Sequence, residues 1–340
     1  MRLKPLAAIL VLSLSSLGAE AATKSKAPVN NLIRDFEIVK ADKLSFQDNN
    51  STLEGHTQVK VGEYLISADK VDMITPPNAA DPSQINFVGS VFLESKDIDI
   101  KSTRMDYDTK LKQLKCYADG VQVVSTVKTV QEAKSSGPAT ISSDYQEFDF
   151  IANKGRAEGA VKYDSSERDI TSDEAYIYFA SDEANTSKEL SSVNFLNQVV
   201  LLEKDKRVES NDLQYLPHQK LVRIASNAKI LYFTDEQKPI FLFADLVVLE
   251  TDRQVFSAYS TSRDSHIRLY TDDAYAESRQ IVMNQTLDGK PDQAVLTGMA
   301  YSQMGDKAVV GEEILFNIAA GTMKTLVNRP QTLIFSAKAQ

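Results

Sequence analysis

Three histidines, one cysteine and scattered carboxylate pairs are the residues of this chain that could do chemistry. His56, His218 and His266 lie far apart, in turn-like or alternating segments. No His pair stands at i, i+4, no Cys/His cluster forms, and no carboxylate array has calcium-loop spacing. No metal or other cofactor is therefore expected. A Gly-x-Ser-x-Gly nucleophile elbow is missing, as is a Gly-rich phosphate loop ahead of a helix. Asp97-Ile98-Asp99 and Asp272-Asp273 could suggest paired catalytic carboxylates. An alternating strand, however, carries such charges on its solvated face. Cys116 stands beside Tyr117 in an apolar strand and reads as a small buried hydrophobe. The chain is read as non-enzymatic.

The elements that must hold these residues begin after a leader. Arg2 and Lys4 precede an apolar or small, uncharged run from Pro5 to Leu17, and Ala19-Glu20-Ala21 is a small-x-small cleavage site. This is the layout of a secretory signal peptide over residues 1–21, and the run is shorter than the about 20 apolar residues a spanning helix needs. The expected destination is the periplasm, with residues 22–32 as a flexible N-terminus. Removing the leader takes the net charge from -9 to about -10. An acidic chain without a basic run is a poor partner for nucleic acid. A single cysteine excludes an internal disulfide, so burial and backbone pairing must supply stability.

A repeat is written along the chain at roughly 30-residue intervals. Ile66-Ser67-Ala68-Asp69-Lys70-Val71 recurs as Ile100-Lys101-Ser102-Thr103-Arg104-Met105 and as Ile141-Ser142-Ser143-Asp144. It returns as Ile170-Thr171-Ser172-Asp173, Val208-Glu209-Ser210-Asn211 and Val310-Gly311-Glu312-Glu313-Ile314. Between these copies come apolar strands opened by Gly or Asn, such as Gly89-Ser90-Val91-Phe92-Leu93, Gly159-Ala160-Val161 and Asn197-Gln198-Val199. Alternation over five to eight residues rich in Val, Ile, Tyr and Phe predicts half-buried strands. Gly or Asn at the entrance suits a bulge or a left-handed backbone position. Each unit is a strand, a turn and a strand, and one such hairpin cannot bury its apolar face alone. The expectation is an all-β solenoid of stacked antiparallel hairpins without significant helix. Its regions are 33–127 and 141–336, separated by a loop or linker at 128–140.

The phrase Ile66-Ser67-Ala68-Asp69-Lys70-Val71, followed by Gly89-Ser90-Val91-Phe92-Leu93, resembles the OstA-like family, which includes LptA. The closing Val310-Gly311-Glu312-Glu313-Ile314-Leu315-Phe316-Asn317 with Gly321 looks like that family's last hairpin. The resemblance implies a twisted, open β-jelly roll whose apolar interior takes lipopolysaccharide acyl chains on their way from inner to outer membrane. It implies LptC-like and LptD-like envelope partners joined by edge-strand pairing, and head-to-tail self-association. This chain is roughly twice the length expected of one such domain, as a tandem or extended form would be. Burying an acyl chain is worth about 0.8 kcal/mol per CH₂, so a carrier must offer an apolar surface throughout. The inward candidates in the first region are Val59, Val61, Ile66, Val71, Met73, Phe87, Val91, Leu93, Ile100, Met105 and Tyr107. In the second they are Phe148, Val161, Tyr163, Ile170, Tyr176, Tyr178, Phe195, Val199, Leu201, Leu213, Tyr215, Ile224, Ile314 and Phe316. Lys204, Lys206 and Arg207 could meet lipid phosphate near a groove mouth, or form a plain exposed turn.

Three other readings fit parts of the pattern. A structural or adhesive β-solenoid with a filled core would show the same alternation. A polysaccharide-acting enzyme on a β-helix would need clustered carboxylates or aromatics on one outer face. An LptC-like relative would act at one membrane only, held by an uncleaved leader.

Overall fold

The computed structural model describes residues 36–335, except 80, 132–135, 182–187, 205, 234–238, 263, 287–290, 319 and 327–332; the side chains of 131, 136, 181, 188 and 333–335 are also left undescribed. The expected leader and flexible N-terminus lie outside the described residues. The strands run in chain order as β1 (Phe36–Lys40), β2 (Lys43–Gln47), β3 (Asn50–Val61), β4 (Tyr64–Ile74), β5 (Gln84–Glu94), β6 (Ile98–Asp108), β7 (Gln113–Tyr117) and β8 (Val123–Gln131). Next come β9 (Ser136–Ser143), β10 (Tyr145–Asp149), β11 (Lys154–Asp164), β12 (Asp169–Ser181), β13 (Lys188–Glu203), β14 (Lys206–Leu216), β15 (Leu221–Phe233) and β16 (Pro239–Glu250). The last are β17 (Val255–Tyr259), β18 (Ile267–Tyr270), β19 (Ala274–Ser278), β20 (Gln280–Gln285), β21 (Pro291–Met304), β22 (Lys307–Asn317), β23 (Thr322–Thr325) and β24 (Leu333–Phe335). All the described pairing is antiparallel, and a 3-10 turn at Pro217–Gln219, the one among the described residues, joins β14 to β15. The fold is a stack of antiparallel hairpins, as the alternation predicts.

Each long strand serves two sheets. The first half of β3 pairs with β2 and its second half with β1. In the same way β6 pairs with β7 and β8, β11 with β10 and β9, β16 with β17 and β18, and β22 with β23 and β24. Every pair of short strands is thus one long strand broken at the middle. Among the described residues, twelve unbroken strands and six broken ones make eighteen rungs. At about 4.8 Å per strand, such a stack is about 80 Å long. The first sheet contains β2, β7, β10, β17, β20 and β23, and the second contains β1, β8, β9, β18, β19 and β24. Their common border is a corner, and the opposite border, where hairpin turns of both sheets meet, is a seam.

The repeated residues turn out to be the corner. In rungs that carry the Ser phrase, the serine hydroxyl donates to the carbonyl two residues on. Ser102 bonds to Arg104, Ser143 to Tyr145, Ser172 to Glu174, Ser210 to Asp212 and Ser278 to Gln280, at 2.8–3.2 Å. In the rungs between them the chain turns through left-handed residues: Gly55-His56, Gly89, Gly159-Ala160, Asn197-Gln198, Ser226-Asn227 and Gly298-Met299. The register slips at these places, for example between Glu158 and Val161 and between Leu196 and Val199. Sequence reading put most of these residues at strand entrances. They lie instead in the middle of long strands, because a bulge lets one strand bend from one sheet into the other.

The expected loop or linker at 128–140 lies partly outside the described residues, at 132–135. Residues 128–131 belong to β8 and 136–140 to β9, and the two strands pair with each other. Gly137 and Pro138 gave the segment its loop-like composition. Pro138 is tolerated because it lies at the register slip between Val127 and Val130, and β11 pairs with β9 only over 140–142. The ladder runs through this segment from β6 to β8 to β9 to β11.

Candidate functional site

Among the described residues, the apolar faces of the rungs point between the two sheets. Of the 25 inward candidates, 23 are buried there: Val59, Val61, Ile66, Val71, Met73, Phe87, Val91, Leu93, Ile100, Met105 and Tyr107, then Phe148, Val161, Tyr163, Ile170, Phe195, Val199, Leu201, Leu213, Tyr215, Ile224, Ile314 and Phe316. Tyr176 and Tyr178 are not inward. On β12, Ile170 and Ser172 face in, but the register slip between Thr171 and Glu174 reverses the parity, so that Ala175 and Ile177 face in beyond it. Tyr178 is 39% exposed, and Arg156 lies 5.6 Å over the outward Tyr176 ring. Alternation counted through a bulge flips faces. Also inward, and outside the candidates, are Ile230, Tyr232, Leu242, Leu249, Phe256, Leu269, Ile281 and Met283, on strands where the repeat recurs as Phe243-Ala244-Asp245-Leu246-Val247-Val248 and, more loosely, as Ala276-Glu277-Ser278-Arg279-Gln280-Ile281.

Aromatic contacts tie the two sheets together. Tyr163, on the second sheet, meets Phe195 and Tyr215 of the first at 5.9 and 5.8 Å, edge-on in both cases. Tyr232 meets Phe256 in the same way at 6.2 Å. Such edge-to-face pairs add to the gain from area burial. At the seam, Tyr64 of the second sheet stacks on Phe150, beyond the end of β10 in the first, at 4.5 Å. Burial pushes the Tyr64 phenol well above its ordinary range. A cavity beside this pair, lined by Tyr64, Ile98, Phe148, Phe150 and Phe179, has a volume of about 20 Å³, room for about one water. The side chains of the roll therefore fill this part of its interior.

The N-terminal end is more open. Phe46 pairs with buried Ser51 and so shares the inward face, yet it is 53% exposed, since among the described residues no rung precedes β2. A hollow of about 490 Å³ lies here, lined by Phe46, Asn50, Met73 and Ile74 among others. The rest of its lining is polar, Ser45, Gln47, Thr52 and Asp72, and Phe46 is the inward apolar side chain with large exposure at this mouth.

The groups with chemical potential are dispersed. His56 contacts Asp42 at 3.0 Å on the corner, and His218 contacts Glu189 at 3.4 Å at the seam. Asp99 pairs with Lys128 at 2.9 Å. Cys116 is fully buried, and desolvation raises its thiol far above the usual range. Arg207 points outward to Glu209, whereas Lys206 turns inward. Among the described residues no three His, Cys, Asp or Glu side chains gather as a metal site would need, and no helix is long and apolar enough to cross a membrane.

Residues 38–132 match the family model of the LptA/(LptD N-terminal domain) LPS transport protein. The match covers less than a third of the chain. It comprises the first rungs of the roll, including the Ile66–Val71 phrase and the Gly89 corner. The crystal structure of LptH from Pseudomonas aeruginosa, described as the LptA homologous periplasmic component of the lipopolysaccharide transport device, aligns with a TM-score of 0.34 and 16% identity, over 39% of this chain and 94% of that one. No curated protein matches. The OstA-like match stops near β8, while the same two-sheet pattern continues to β24.

Proposed function

We propose that this chain is a periplasmic lipid-shielding conduit of lipopolysaccharide transport, in which acyl chains lie between the two sheets. The observation that carries the reading is the apolar inner face shared by successive rungs, in a chain whose first rungs match an LPS transport family. A glycolipid cannot cross water unshielded, since each acyl CH₂ exposed costs about 0.8 kcal/mol. Around the seam cavity the interior is filled by its own side chains, so acyl chains enter by parting the sheets along the seam or from the N-terminal mouth at Phe46. The corner, bracketed by serine hydroxyls and left-handed residues, is the hinge about which the sheets part. The conduit performs no chemistry, and an energy source elsewhere must drive the flow. Among the described residues the terminal strands at each end have an unpaired edge, which would suit LptC-like and LptD-like proteins or another copy.

The experiment is native mass spectrometry of the purified chain with and without added glycolipid. Stoichiometric adducts that survive mild activation support the conduit. A second reading, a structural solenoid with a filled core, is favoured by the fully buried aromatic cluster and the small seam cavity; a spectrum free of adducts at saturating lipid would select it.

A further inference from the structure

We propose that Arg168 and Lys206 form a subsite for a phosphoryl group borne by the acylated cargo; the proposal rests on the conduit reading above. Arg168 ends the turn between β11 and β12, and Lys206 opens β14, so both stand at the seam end of the second sheet. They are the two buried cations among the described residues, 4% and 7% exposed. The Arg168 guanidinium lies 4.7 Å over the ring of Tyr215, and the Lys206 ammonium lies 5.8 Å over that of Tyr232. Tyr215 belongs to the first sheet, so Arg168 reaches across the interior. Beneath the two cations lie Tyr163, Tyr215 and Tyr232, among the largest fully buried side chains in the protein.

The carboxylate of Glu203 bridges the cations. One oxygen lies 2.8 Å from Lys206 Nζ and the other 3.9 Å from Arg168 Nε, and Glu167 stands 3.4 Å from Arg168 Nη2. Two acidic oxygens spanning an ammonium and a guanidinium is the arrangement a phosphoryl group would adopt there. A clasp that only held the sheets together would be served as well by apolar side chains, because ion pairs taken from water recover little net stability. The Glu203 side chain keeps 18% exposure while its partners are nearly sealed. When the seam parts, Glu203 swings to water and a phosphoryl oxygen takes its place, with the attached acyl chains lying on the tyrosine bed. The favoured ligand is thus a phosphorylated, multiply acylated glycolipid over a neutral one.

The test uses the full chain and three probes: a tetra-acylated glucosamine disaccharide bisphosphate, the same lipid without phosphates, and inorganic phosphate. The wild type is expected to bind the bisphosphate about tenfold more tightly than its dephosphorylated form. Lys206→Met and Arg168→Met should shrink that ratio to within about twofold while retaining the neutral lipid. Glu203→Gln, which keeps both cations, should tighten the bisphosphate. Equal affinity of the wild type for both lipids would overturn the subsite and leave the conduit standing. Failure to bind either lipid would overturn the conduit and the subsite together. Inorganic phosphate displacing the bisphosphate at equal concentration would reassign the pair to a free anion and overturn the proposal. Because the wild-type comparison needs no variant, a fold defect in either Met variant does not shield the idea.

Discussion

The Asp69 carboxylate accepts the backbone N–H of Ser90 at 3.0 Å, and it fills the space that a Cβ on Gly89 would need. Such a Cβ would sit 2.2 Å from Asp69 Oδ2, and Gly89 has φ +101. The Asp42 carboxylate likewise fills the space beside Gly55, and that of Asp144 the space beside Gly159. The aspartate in the repeat is therefore a corner brace for the next rung. Gly89→Ala is expected to destabilise the fold by about 2 kcal/mol or more, from the left-handed backbone and the clash. Asp69→Ala should cost about 1 kcal/mol for the lost hydrogen bond. In the double variant the carboxylate's share of the clash is removed while the 2.6 Å approach to the Asp69 Cβ stays, so the effects should fall short of additive in urea unfolding. Strict additivity would refute the brace.

Tyr64 and Phe150 face each other across the seam, and parting the sheets must separate them. A bis-thiosulfonate cross-link bridging Tyr64→Cys and Phe150→Cys should block uptake of a fluorescent acyl probe, and reduction of the link should restore it. Unchanged uptake in the cross-linked form would mean that lipid does not enter here.

Asp245 accepts from the Ser265 hydroxyl at 2.6 Å and from the Thr261 amide and hydroxyl at 2.8 and 3.1 Å. These bonds, the Ser265 one first, hold its carboxyl below the usual range. A depressed folded pKa gives stability that is present above the unfolded value and lost as pH falls through the folded one. Asp245→Asn should therefore flatten the acid limb of the melting midpoint below about pH 4. An unaltered limb would show that other carboxylates govern it.

Cys116 is sealed between β6 and β10 in the first sheet. Its raised thiol should not react with a disulfide reagent at pH 8 until the chain unfolds. Reaction faster than global unfolding would mean that the first sheet opens locally around β7.

The alternation in the sequence was enough to place strands, core and stacking, because a strand with one buried face declares itself by parity. It failed where parity is broken. Tyr176 and Tyr178 continue the apolar rhythm of Ile170, yet the slip before Glu174 turns them outward and Ile177 inward. The Gly137-Pro138 pair suggested a loop because composition does not reveal a bulge on a strand paired over part of its length. Arg168 was missed because a buried arginine in a Ser-Ser-Glu-Arg turn looks like any solvated turn. Its environment is made by residues far along the chain, Glu203 and Tyr215.

The central claim is that acyl chains reach the inner face and not the outer one, and Tyr176 and Ile177 are adjacent residues on opposite faces. A photo-reactive amino acid at each position, in living cells, tests it directly. Ile177, like Val91, should form glycolipid adducts, whereas Tyr176 and the exposed Glu94 should not. Equal labelling at positions 176 and 177, or labelling at 176 alone, would contradict the account.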